Sequence, residues 1–140
     1  MYNSEIKTDY YKKPYTTNVM KKAIENTNYR SVFWTGCYVQ MTLMCIPVCS
    51  DIGMEIHNET DQLIRVEQGM AMVEMGECKD YMDFQKRICV GDVIFIPAGT
   101  WHNVTNCGRI PLKLSVIYAP PHHKPGTVHH TKKDGEMEYK

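Results

Sequence analysis

His102 sits in a segment suited to aiming an imidazole. Residues 91–106 read Gly-Asp-Val-Ile-Phe-Ile-Pro-Ala-Gly-Thr-Trp-His-Asn-Val-Thr-Asn. The β-branched and aromatic run from Val93 to Ile96 is bounded by turn residues, which predicts a strand. Pro97 fixes one backbone angle and Gly99 takes conformations that other residues avoid, so a rigid corner follows. Trp101 to Thr105 alternates again, so the segment reads as a hairpin that delivers one histidine to a sheet surface. Upstream, Glu55 and His57 stand two residues apart, and in a strand residues of equal parity share a face. Carboxylates and imidazoles on one face are side chains that hold divalent cations.

The spacing Gly-x5-Pro-x-Gly-x2-His-x3-Asn, from Gly91 to Asn106, resembles the second sequence motif of the cupin superfamily and matches it at every fixed position. The first motif, Gly-x5-His-x-His-x4-Glu-x6-Gly, lies upstream with its spacing intact and three identities changed. Anchored on Gly69, it places Glu55 at the first His, Gln62 at the Glu and Cys49 at the leading Gly, with His57 retained. The run 51–57, together with Tyr118-Ala-Pro-Pro-His and Gly126-Thr-Val-His, is similar to small single-domain bacterial cupins that often carry a mannose-6-phosphate isomerase-like label. A shared fold does not settle a shared activity.

The resemblance implies an all-β cupin double-stranded β-helix, or jelly-roll barrel, with Glu55, His57, Gln62 and His102 converging inside it. Two imidazoles, a carboxylate and an amide oxygen suit a divalent cation such as Fe, Mn, Ni, Co or Zn. The alternative for all four is a network of polar groups bonded to one another without metal. Glu59 and Asp61, in the turn beside His57, are weaker candidates, and Gln40 and Thr42 read as pocket-lining or core hydrogen-bonding residues. Trp101 falls on the face opposite His102.

Taken in order, residues 1–30 are expected to form an arm and a short helix packed on the barrel. That helix runs from a Thr16 or Thr17 cap to about Asn26, with Val19, Met20, Ala23 and Ile24 on one face. Residues 31–121 form the barrel. Within it, residues 37–46 read as a strand buried on both faces, and Glu55 to His57 as another. Residues 122–140 form a tail whose His122, His123, His129 and His130 stand among Pro and Lys, which favours exposure. Short strands with Gly and Pro punctuation indicate a closed or double-sheet all-β domain; the barrel itself comes from the resemblance.

Composition narrows the functions. The 140 residues hold 16 basic and 16 acidic side chains, so no electrostatic footprint for nucleic acid or an anionic membrane is present. The N-terminus has no apolar core for export, and the apolar run 37–49 is too short to span a bilayer. A cytoplasmic protein is expected, its six cysteines reduced and mostly small core residues. Arg65 and Lys113 have outward parity, so phosphosugar isomerisation ranks below chemistry on a neutral or carboxylated substrate. The expectation is a homodimer that binds a metal and a small molecule. It acts as an isomerase or dioxygenase, or as a non-enzymatic binding and sensing domain.

Overall fold

The computed structural model describes residues 9–138; the first eight residues of the expected arm lie outside them. Nine strands and two short helices are found among the described residues. They are α1 (Val19–Glu25), β1 (Arg30–Thr35), β2 (Gln40–Ile46), β3 (Asp61–Gln68), β4 (Met70–Gly76), β5 (Phe84–Cys89), β6 (Val93–Ile96), β7 (Trp101–Asn106), β8 (Leu112–Ala119), β9 (Val128–His129) and α2 (Lys132–Glu138). The strands form two sheets, a six-stranded one in the order β6-β3-β8-β2-β1-β9 and a three-stranded one in the order β5-β4-β7. Strand parity sorts the side chains. On β8, Leu112, Leu114, Val116 and Tyr118 are all buried, and they join Ile64 and Val66 of β3 with Ala71, Val73 and Val104 of the smaller sheet in one core. Each such branched side chain, fully buried, contributes about 1.5–3 kcal/mol. This is an all-β jelly-roll sandwich, as expected.

Several elements differ from expectation, each for a local reason. β6 and β7 do not form a hairpin. β6 pairs with β3 in the larger sheet, and β7 pairs with β4 in the smaller one. The Pro97–Gly99 corner, with Gly99 at φ 81°, therefore carries the chain from one sheet to the other. Glu55 to His57 is not a regular strand: Asp51 and Glu55 make single bridges to Thr105 and His102, so the segment lies beside β7 as an irregular edge. Residues 37–39 turn outward, and β2 begins at Gln40. The first helix starts later than either threonine. Asn18 caps it, its side-chain oxygen accepting from the Lys21 amide at 2.9 Å. Ala23 packs with Phe33 and Leu43 on the outer side of the sheet, and Val19 packs against them, but Met20 and Ile24 stay exposed because so short a helix turns only one edge inward.

The cysteines are free but not core residues: Cys45 is half-buried and the other five are exposed. Cys45 falls on the outward parity of β2, between buried Met44 and Ile46, and the others sit in turns or at strand ends. The segment after Pro121 is not an exposed tail. β9 adds to the edge of β1, with Arg30 opposite His129 and Ser31 opposite Val128. Asp134 then accepts from the amides of His130 and Thr131, and the Thr131 hydroxyl accepts from the Asp134 amide, a reciprocal cap that starts α2. Lys132 pairs with Asp51, and Gly135 is buried against Arg30 and His129. Hydrogen bonding and packing across the chain outweigh the local polarity from which exposure was expected.

Candidate metal centre

His102 on β7 is fully buried. Its Nδ1 lies 2.9 Å from the Thr100 carbonyl oxygen, and since a carbonyl only accepts, that nitrogen carries the proton. Nε2 is thereby the ring nitrogen turned to the site, the orientation a metal ligand needs. The same strand position is tied to Glu55 by two backbone bonds, Glu55 N to His102 O at 3.0 Å and His102 N to Glu55 O at 2.9 Å. His57 is anchored in turn by its carbonyl, which accepts from the Gly99 amide at 2.8 Å. The two motifs are thus stitched together at the corner that the sequence marked with Pro97 and Gly99.

Glu55 Oε1 stands 3.3 Å from His57 Nε2 and 3.3 Å from His102 Nε2. The three ligand atoms lie within 4.8 Å of one another. Burial pushes the Glu55 carboxyl up, but the imidazoles of His102 and His57 more than offset it and leave the group well below its ordinary value. It is ionised at neutral pH. An anionic oxygen this close to both imidazole nitrogens needs a proton or a cation between them. Gln62, the fourth residue singled out by spacing, carries a buried acceptor. It is 2% exposed on β3, opposite Tyr118, whose ring packs edge-on to His57 at 6.0 Å. Its buried Oε1 accepts no hydrogen bond among the described residues. The three clustered donors fit a divalent cation: two imidazole nitrogens and one carboxylate oxygen.

The other sequence candidates sort by geometry. Asp61 Oδ1 accepts from the Ala98 amide at 2.9 Å and braces the corner, and Glu59 is exposed. Gln40 is structural: it donates to Thr35 and to the His123 carbonyl and accepts from the amides of His122 and His123. Thr42 is buried on the same face. Trp101 turns away from His102, with Lys79 Nζ 5.7 Å from its ring centre.

Sequence reasoning missed the wall of the site. A cavity of about 340 Å³ opens over Glu55 and His57, and Tyr29, Arg30, His122, His123, Lys132 and Glu136 line it as well. The His122 ring centre lies 4.3 Å from that of His57, the planes tilted by 59°, and burial followed by the charge of His57 pushes its imidazole down. Burial also raises the Tyr29 phenol to about 12, and its hydroxyl donates to the Ile52 carbonyl at 3.2 Å. Arg65 and Lys113 do face outward, as parity indicated: Arg65 Nε lies 3.2 Å from Glu67, and Lys113 Nζ donates to the Asn26 carbonyl. The cationic side chains at the cavity are Arg30 and Lys132. No parity rule would have found Arg30, because β1 is buried on both faces.

Comparison with known proteins agrees with this geometry. Residues 42–118 match the cupin domain family, a span that contains all four candidate ligands. The uncharacterized protein YrkC of Bacillus subtilis (strain 168) is 48% identical over 126 residues, covering 90% of this chain and 68% of YrkC. A protein of Acanthamoeba polyphaga mimivirus, L612, is 39% identical over 115 residues, covering 81% of this chain and 70% of its own. A crystal structure from Bacillus halodurans superposes with a TM-score of 0.92 at 47% identity, covering 93% of this chain and 98% of the other. With its paired sheets, its sheet-switching corner and its matched domain, the chain belongs to the cupin family.

Proposed function

We propose that Glu55, His57, Gln62 and His102 hold one divalent cation and that a small molecule bearing an anionic oxygen binds beside it. One observation carries this reading: Glu55 Oε1 lies 3.3 Å from both His57 Nε2 and His102 Nε2, while the Thr100 carbonyl engages the other nitrogen of His102. Gln62 Oε1, buried with no donor among the described residues, supports it. A cation bound there would polarise an oxygen of a ligand in the cavity. With one carboxylate among its ligands the site would keep a formal charge of about +1, which favours a carboxylate or enolate. Isomerase and dioxygenase chemistry both suit such a centre. A homodimer in the cytoplasm belongs to the same proposal, supported by six free cysteines. Among the described residues no helix is long and apolar enough to cross a membrane.

The test is elemental analysis of protein purified without a histidine tag. One metal per chain is expected. His57→Ala and His102→Ala should each abolish its retention while the domain stays folded. Acidification through the ordinary imidazole range, near about 6.5, should release it as well. Full metal content in the double variant would remove the site. One metal per chain without turnover, in an oxygen-consumption and small-metabolite screen, assigns the site to binding rather than catalysis.

A further inference from the structure

Two of the three clustered donors come from a stretch with little strand pairing. Glu55 and His57 lie on the segment 51–57, which meets β7 through single bridges at Asp51 and Glu55. Beyond its bonds to His102 and Gly99, a few point contacts set its position. The Ile52 amide donates to the Val104 carbonyl at 3.0 Å, and the Ile52 carbonyl accepts from the Tyr29 hydroxyl at 3.2 Å. Asp51 holds the start of the segment. Its Oδ2 accepts from Asn103 Nδ2 at 3.1 Å, beside His102 on β7, and its Oδ1 pairs with Lys132 Nζ from α2. Burial pushes the Asp51 carboxyl up, but the bonds from Lys132 and Asn103 more than offset it and hold it below its ordinary value. The Lys132 side chain also crosses the turn that follows: a Cβ on Gly53, at φ 84°, would come 3.9 Å from Lys132 Cε.

We propose that α2 is a clamp on the ligand segment and that Lys132 is a positioning residue for the centre, acting through Asp51. On the metal reading above, Lys132 holds neither the cation nor its ligand. It fixes the start of the segment that ends in Glu55 and His57, and a metal site depends on such supports as well as on its donors. Lys132 lies 81 positions beyond Asp51, so the tie exists only because β9 returns the C-terminal segment to β1. The helix brings little else to the barrel: Gly135 is its buried residue, packed on Arg30 and His129, and Met137 stays exposed. The paired side chains are 31% and 33% exposed, so water screens them and the tie is worth up to about fivefold in an equilibrium constant.

The first experiment is amide hydrogen exchange on the full, metal-free chain. Lys132→Met keeps the side-chain stem and removes the charge. In it the Ile52 and Glu55 amides should exchange about two- to fivefold faster, while the Val116 amide in the core of β8 is unchanged. Lys132→Arg should restore the natural rates, and Lys133→Met, at the exposed neighbour, should leave them alone. Should Lys132→Met fold poorly, Lys132→Gln reads the same contact. Asp51→Asn should give the same acceleration, and adding Lys132→Met to it should add nothing further. Unchanged rates at Ile52 and Glu55 overturn the clamp, and so does an equal rise at Val116, which marks general destabilisation. Full additivity of the two substitutions overturns the route through Asp51. The second experiment loads the chain with Co²⁺ and follows its release into a chelator, which should quicken by a similar factor in Lys132→Met. Faster exchange with unchanged cobalt release overturns the positioning role. If the natural chain takes up no Co²⁺, the metal reading fails by itself, and hydrogen exchange alone decides the clamp.

Discussion

At the scale of single residues, Gln62 separates this site from one with a glutamate at that position. With the proposed ligand set, a carboxylate there would neutralise a divalent cation already held by Glu55, whereas the amide would leave one positive charge to attract a ligand. Gln62→Glu should therefore tighten metal and weaken an anionic ligand such as acetate, and Glu55→Gln should loosen metal first. Calorimetric titration of metal and acetate on both variants checks this. Unchanged affinities in Gln62→Glu would place Gln62 outside the ligand set. Spacing in the sequence singled out Glu55, His57, Gln62 and His102, because the intervals of both motifs are kept even where identities change. It could not show the Thr100 carbonyl that sets the His102 tautomer, a contact made only when the corner is folded.

Among the elements, the segment from Pro121 to α2 decides how the cavity is walled. His123, within it, is 6% exposed and packs edge-on to Tyr118 with ring centres 4.9 Å apart. Burial, with the charge of Arg30 beside it, pushes its imidazole down to about 2. The sign follows from linkage. Between that value and the ordinary one near about 6.5 the unfolded chain binds a proton at His123 and the folded chain does not, so stability falls as pH falls. The contribution is complete above the ordinary value. Going from about pH 7 to about pH 5 should cost about 2 kcal/mol through this one group. In metal-free protein, urea midpoints across that window should slope less steeply for His123→Phe than for the natural chain. Equal slopes would mean that His123 takes up its proton in the folded state.

For the whole molecule, a cation that binds only the folded chain must stabilise it. At a metal concentration about a hundredfold above its Kd the gain is about 2.7 kcal/mol, or a rise in Tm of roughly 5–15 °C. Chelation should reverse the shift, and the His57→Ala, His102→Ala double variant should not show it. The same shift in that variant would move the metal to another site. The proposed dimer is supported by the apolar rim where the two sheets meet: Phe84 on β5 and Val93 and Phe95 on β6 are exposed around one groove. Sedimentation velocity over micromolar concentrations should show a dimer, and a monomer throughout would remove it.

The sequence by itself determined the strands around the Pro97–Gly99 corner, the two motifs and the spacing of the candidate ligands. These are local properties: side-chain alternation, and the backbone restrictions of proline and glycine, act over a few residues. The tertiary structure alone decided that β6 and β7 belong to different sheets. It alone brought Arg30, His122 and Lys132 to the cavity wall, and turned a polar, histidine-bearing C-terminal segment back onto β1. Those outcomes depend on hydrogen bonds and packing between residues nearly a hundred positions apart, such as Arg30 with His129. No local pattern encodes such pairs, because each partner's environment exists only after the sheet has formed.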